Sequence, residues 1–170
     1  TLFLNRQKAA KLGLLGANSP FANKASALLP RVKLARERAL AAQLTEEELL
    51  VALAFTAIEV WGEGQIEHPS FADVAIVAAG LFPAYTGGPF TYVEQCGPKV
   101  LAERAASAMD LALTFDDGLA SVLHNAAPFL RDLAIPSTLF VISGKTGGQR
   151  LDWAGMEAAQ SMGMSIGSHS

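Results

Sequence analysis

The sequence predicts an α + α/β protein, a helical N-terminal region followed by β/α units, and three observations carry that prediction. Up to about residue 109, apolar residues recur at three- and four-residue steps, the period of a helix with one buried face. Beyond it, short continuous apolar runs alternate with helical spacing, the pattern of strand, helix, strand. Hydrophobic residues make up 51% of the 170 positions and charged residues 17%, so a core can form and intrinsic disorder is excluded.

The elements follow in order. Residues 5–15 and 31–43 read as helices separated by the turn-rich run Gly16-Ala17-Asn18-Ser19-Pro20. Thr45-Glu46-Glu47-Glu48 has the spacing of a capping box, in which the Thr45 hydroxyl and the Glu48 carboxylate each satisfy a free amide at a helix start. A helix is expected from there to Trp61, burying Leu49, Leu50, Leu53, Ala57, Ile58 and Trp61, and ended by Gly62 and Gly64. Ser70 and Asp73 open a short helix to Ala79. The Gly- and Pro-rich stretch 80–89 reads as a turn, and Pro98 suits the first position of a further helix through Ala108. Strands are expected at 111–115, 138–142 and 164–167, with helices at 121–133 and 153–161 between them. The apolar continuity of the first two strands predicts a parallel sheet buried on both faces.

Charge and cysteine content narrow the classes further. Residues 1–44 hold eight basic side chains against Glu37 alone, while the whole chain has a net charge of -3. Such an arm can attract phosphate, but aromatic residues for base stacking are nearly absent there, so a solvated helix face is the better reading and no nucleic-acid partner is expected. No apolar run approaches the roughly eighteen residues of a membrane span. Cys96 is the only cysteine, which excludes an intrachain disulfide and a cysteine-rich zinc cluster. No signal peptide is visible, the first residue being Thr1, and both a cytoplasmic and an exported bacterial address stay open.

The chemistry concentrates after residue 109. Asp116 and Asp117 follow an apolar strand at the point where it leaves its sheet, which is where α/β folds gather catalytic groups. Neighbouring strand residues point to opposite sides, so the two carboxylates can take different roles. Gly118 permits a sharp turn, and Ser168, His169 and Ser170 end the third strand on the same rim. A carboxylate and an imidazole make half of a site for Zn²⁺, Co²⁺ or Fe²⁺.

Thr114-Phe115-Asp116-Asp117-Gly118, then Leu133-Ala134-Ile135-Pro136-Ser137-Thr138-Leu139-Phe140-Val141, Trp153, Glu157 and Gly163-Met164-Ser165-Ile166-Gly167-Ser168-His169-Ser170 together resemble the opening third of the polysaccharide deacetylase family. The resemblance implies the first three β/α units of an incomplete (β/α) barrel and metal-dependent hydrolysis of N- or O-acetyl groups on polysaccharide. It assigns Asp116 as general base and Asp117 and His169 as metal ligands. The second metal histidine of the family and its later motifs are not present, so the metal is expected to be weakly held and activity low. His68 and His124 match no family position.

A second resemblance covers residues 45–105. His68-Pro69-Ser70-Phe71-Ala72-Asp73 and the run Phe82-Pro83-Ala84-Tyr85-Thr86-Gly87-Gly88-Pro89-Phe90-Thr91-Tyr92-Val93-Glu94-Gln95-Cys96-Gly97 are similar to the C-terminal helical domain of 3-hydroxyacyl-CoA dehydrogenases of fatty-acid oxidation. That implies a non-catalytic alternative, a module that binds acyl-CoA, docks on a dehydrogenase partner or self-associates. Leu81, Ala84, Thr91 and Glu94 depart from the family's residues, and Gly87-Gly88-Pro89 reads as a rigid connector rather than a ligand site. No Gly-x-Gly-x-x-Gly turn occurs, so no NAD site is expected and hydride transfer is not this chain's own activity. The organisation expected is a basic helical lead-in at 1–44, a helical domain at 45–108 and a truncated deacetylase-like β/α domain at 109–170. A fusion or a partial reading frame would join two such pieces, and loose coupling between them is expected.

Overall fold

A computed structural model of the chain describes residues 26–107 and 112–169. The helix expected at 5–15 and most of the basic arm lie outside them. The first described helix, α1 (Leu28–Ala41), buries Leu28, Val32 and Ala39. α2 (Glu46–Gly62) starts on the expected capping box: the Glu48 amide donates to Thr45 Oγ1 at 3.3 Å and the Thr45 amide donates to Glu48 Oε2 at 2.7 Å. Nine of its residues are buried, more than one helical face supplies, so α2 is the central helix of the molecule and packs on several sides at once.

α3 (Pro69–Ala78) begins one residue before the expected Ser70, because His68 is the cap, its Nδ1 accepting from the Ser70 amide at 3.2 Å. Asp73 does not open that helix. It is buried and reaches across to the start of α4 (Pro89–Ser107), where Phe90 N donates to it at 2.7 Å, Thr91 N at 3.3 Å and Thr91 Oγ1 at 2.8 Å. Burial nevertheless raises the Asp73 pKa above the ordinary carboxylate value, desolvation outweighing the three hydrogen bonds that lower it. Gly88 lets the two backbones meet: a Cβ there would stand 2.5 Å from Asp73 Cβ. Stretch 80–89 is therefore a connector, as expected. The helical stretch 89–107 is two helices parted at Gly97 (φ 71°, ψ 165°): one begins at Pro98, as expected, and another, not expected, runs from Pro89 up to the break.

The sheet is β1 (Leu113–Phe115), β2 (Ser137–Val141) and β3 (Met164–Ser168), parallel and in sequential order. Two short helices, α5 (Ala120–His124) and α6 (Ala126–Asp132), fill the first crossover and α7 (Trp153–Ser161) the second. The single helix expected at 121–133 is broken at Asn125 (ψ -74°), whose Nδ2 donates to the Trp61 carbonyl at 3.0 Å. β/α succession and parallel pairing agree with the expected α + α/β class. Closure into a barrel is not seen among the described residues.

Register explains how the sheet packs. Leu113, Ser137 and Met164 stand in one row and Phe115, Leu139 and Ile166 in another. Five of these six side chains are buried. The alternate row Thr114, Thr138 and Ser165 belongs to the opposite face, which is half-buried to exposed. The expectation of a sheet buried on both faces is thus corrected: helices cover one face only.

What covers it includes the N-terminal helices. Gly62, the last residue of α2, lies so close to β1 that a Cβ would collide with Phe115 Cε1 and come within 3.1 Å of Ala126 Cβ. Trp61 makes edge contacts with Phe90 of α4 (5.5 Å between centroids) and Phe129 of α6 (5.8 Å), and Phe90 meets Phe129 at 5.7 Å. One hydrophobic cluster runs from Leu28 to Met164 through this aromatic trio. The two parts share a hydrophobic cluster, against the expectation of loose coupling, because α2 packs on β1, α5 and α6 and Phe90 of α4 reaches Phe129.

Candidate active site

The open face of the sheet collects the candidate site. Alternation puts Asp116 on the same side as Thr114, and His169 on the same side as Ser165 and Gly167. Both extend past the carboxyl ends of their strands, and the His169 amide donates to the Val141 carbonyl at 2.8 Å, fixing the end of β3 against β2. His169 Nε2 consequently stands 3.9 Å from Asp116 Oδ1, across the width of β2. On the same face Gly167 leaves space for the Phe140 ring of β2, since a Cβ there would be 2.7 Å from it. Asp116 is 68% exposed and His169 about half as much, so the pair opens to solvent as a rim.

Asp117 turns the other way. It has φ 68° and Gly118 φ 64°, two successive left-handed residues that swing the chain off the sheet. For Gly118 this conformation is cheap, but for an aspartate it needs support from its surroundings. Support comes from the loop before α7. Ala120 N donates to the Gln149 carbonyl at 2.9 Å and Leu151 N to the Gly118 carbonyl at 2.8 Å, so Leu119 and Arg150 pair as an antiparallel bridge. Arg150 Nε then donates to the Asp117 carbonyl at 3.1 Å, and its Nη2 lies 3.8 Å from Asp117 Oδ2.

The three residues singled out from sequence are therefore at one end of one sheet, with His169 beside Asp116 and a guanidinium beside Asp117. Trp153, matched by the same resemblance, is exposed at the start of α7, capped by Asp152, whose Oδ1 accepts from Gly155 N at 2.8 Å. His68 caps α3, and His124 is exposed at the end of α5. Sequence reasoning did not find Arg150, which sits in a Gly-rich loop 33 residues from its partner. Nor did it find Glu59, on the last turns of α2. Burial raises the Glu59 pKa to about 7, Arg31 opposing and the charges of Glu63 and Asp116 reinforcing the shift. Arg31 pairs with both Glu63 and Glu59, the latter at 3.5 Å.

A divalent metal in this chemistry needs at least three protein donors. Among the described residues no group of three His, Cys, Asp or Glu side chains is gathered to hold one. Asp117, one of the two expected ligands, already has a cation beside it. The described residues do not fit a complete metal centre.

Residues 103–170 match the model of the polysaccharide deacetylase family. No curated protein and no solved structure gives a significant match. The comparisons support the deacetylase resemblance and give none to the dehydrogenase resemblance of residues 45–105. Among the described residues, no helix is long and apolar enough to cross a membrane.

Proposed function

We propose that the β/α region supplies the base of a carbohydrate deacetylase, and that Asp116 accepts the proton of the water that attacks an acetyl carbonyl on a polysaccharide. Attack forms the new carbon–oxygen bond, and loss of the sugar nitrogen or oxygen releases acetate. The observation that carries this reading is the Asp116–His169 rim on the open sheet face, within the segment that matches the family. An exposed carboxylate at a strand end is reachable by a polymeric substrate, and an imidazole stands 3.9 Å to one side of it. Asp117 and His169 are the candidates for metal ligands in this reading, for Zn²⁺, Co²⁺ or Fe²⁺. Two donors hold such an ion weakly, so turnover by these residues alone is low. We assign the chain to hydrolases acting on carbon–nitrogen bonds other than peptide bonds, with acetylated oligosaccharide or polysaccharide as partner.

The test is a titration of the isotope-labelled chain with N-acetylglucosamine oligomers, followed by amide shifts. Saturable perturbation at Asp116, Gly118 and His169, weakened in Asp116→Asn, is the expected result. Perturbation confined to residues 45–105 on adding long-chain acyl-CoA, with none from the oligosaccharide, would replace this reading by the acyl-CoA-binding or dimerisation module. Against that alternative, α2 packs on β1, α5 and α6, so part of its apolar surface is covered by the β/α region.

A further inference from the structure

We infer that Trp153 is a stacking platform for a sugar ring of the polymer, placed just outside the Asp116–His169 rim. The occupant, a pyranose of an acetylated polysaccharide, rests on the deacetylase reading, whereas the placement of the indole rests on backbone contacts. Trp153 is 72% exposed, while the chain's other tryptophan, Trp61, packs edge-on against Phe90 and Phe129. A lone exposed apolar side chain is ordinary on a protein surface, and Leu34, Leu40, Val74 and Tyr85 are such cases on α1, α3 and the connector before α4. What sets Trp153 apart is where it is held.

Backbone geometry fixes that place. β2 and β3 are parallel, so the chain leaves β2 at its carboxyl end, and α7, which returns it to the amino end of β3, starts at the same end of the sheet as Asp116 and His169. Leu151 N donates to the Gly118 carbonyl at 2.8 Å and Arg150 Nε to the Asp117 carbonyl at 3.1 Å, which ties the chain just before Trp153 to the Asp-Asp-Gly turn. Two residues of chain span at most about 7 Å, so the Trp153 backbone stays beside that turn. The helix start is also firm: Leu151 is buried, Asp152 Oδ1 accepts from Gly155 N at 2.8 Å, and a Cβ on Gly155 would stand 2.8 Å from Leu151 Cδ2. α7 turns Met156 and Ala159 into the core, leaving Trp153 and, one turn on, Glu157 on its exposed side.

Chemistry selects the occupant. A pyranose presents a face of C–H bonds and an edge of hydroxyls. The indole offers a broad flat surface whose π face attracts such C–H groups, and with only two side-chain torsions it loses little freedom when covered. Asp116 and Ser168, exposed at the same end of the sheet, are hydrogen-bond partners for the hydroxyl edge. Since the reacting unit sits at Asp116, the ring on Trp153 is a neighbouring one. Trp153 therefore selects for substrate length rather than acting on the bond that breaks.

Titration of the isotope-labelled full chain with the disaccharide and the hexamer of N-acetylglucosamine tests this. In the parent, the hexamer should bind more tightly than the disaccharide and should shift the Trp153 Nε1–H resonance. Trp153→Ala should weaken the hexamer roughly three- to tenfold, the range of one aromatic contact, and leave the disaccharide's effect on Asp116 and Gly118 unchanged. Trp153→Phe, which keeps a ring, should lose less. An exposed side chain can be replaced without opening the core, and the indole resonance of the parent gives a reading that needs no variant. Equal hexamer affinity in the parent and Trp153→Ala, or a Trp153 resonance indifferent to saturating hexamer, would overturn the platform, while shifts at Asp116 and Gly118 would still uphold the deacetylase reading. Absence of any oligosaccharide binding would overturn both.

Discussion

Glu59 shows how one buried carboxyl sets a pH dependence for the whole fold. Its pKa is raised from 4.5 to about 7, first by burial. The folded chain then holds this proton more tightly than the unfolded chain does. Stability from this group is complete below about pH 4.5, falls as pH rises toward 7, and is flat above. The shift corresponds to about 3 kcal/mol as an upper bound. Glu59→Gln removes the titration while leaving Arg31 its partner Glu63. Denaturant unfolding of parent and variant at pH 5 and pH 8 should show the variant gaining relative stability at the higher pH. A difference independent of pH would show that Glu59 is not held in a desolvated place. Nothing in the local sequence announces this, because Glu59 on a helix otherwise reads as a solvated residue, and its burial depends on α1 and the sheet lying against the same helix end.

Among the elements, α2 is where sequence and structure agree best and where the unforeseen contact also lies. Its start was legible because a capping box is local, needing only Thr45 and Glu48 three residues apart. Its end was legible in part, as Gly64 (φ 76°) turns the chain just past the helix, whereas Gly62 is its last helical residue. What could not be read is that Gly62 is required by space as well, since the neighbour that fills its side is Phe115, more than fifty residues on. Gly62→Ala should therefore destabilise the chain by about 1–3 kcal/mol, although alanine is the better helix former, because overpacking against a buried ring exceeds the propensity gain. A chemical-denaturation midpoint equal to or above the parent's would refute the close approach. Asp73 and Arg150 teach the same lesson at other elements. Each serves a partner 17 or 33 residues away, and only the folded chain brings them together.

Across the whole molecule, the change of pattern near residue 109 was visible, as were the three parallel strands and the rim that carries Asp116 and His169. Coupling between the parts was not, since apolar helix faces do not name the surface they will cover. In the structure, Trp61, Phe90 and Phe129 close the gap, and the Asn125 amide bonds to the end of α2. Phe90 is fully buried and Trp61 and Phe129 partly so, and complete burial of one such side chain contributes on the order of 1.5–3 kcal/mol, so separation of the parts is costly. The central claim is that α1 to α4 and the sheet form one cooperative unit, whose uncovered sheet face is free to carry the site. Native-state hydrogen exchange tests it most directly. Equal opening free energies for the amides of α2 and of β2, with a common dependence on denaturant, are the result expected. Exchange of β2 through a lower-energy opening that leaves α2 protected would contradict it.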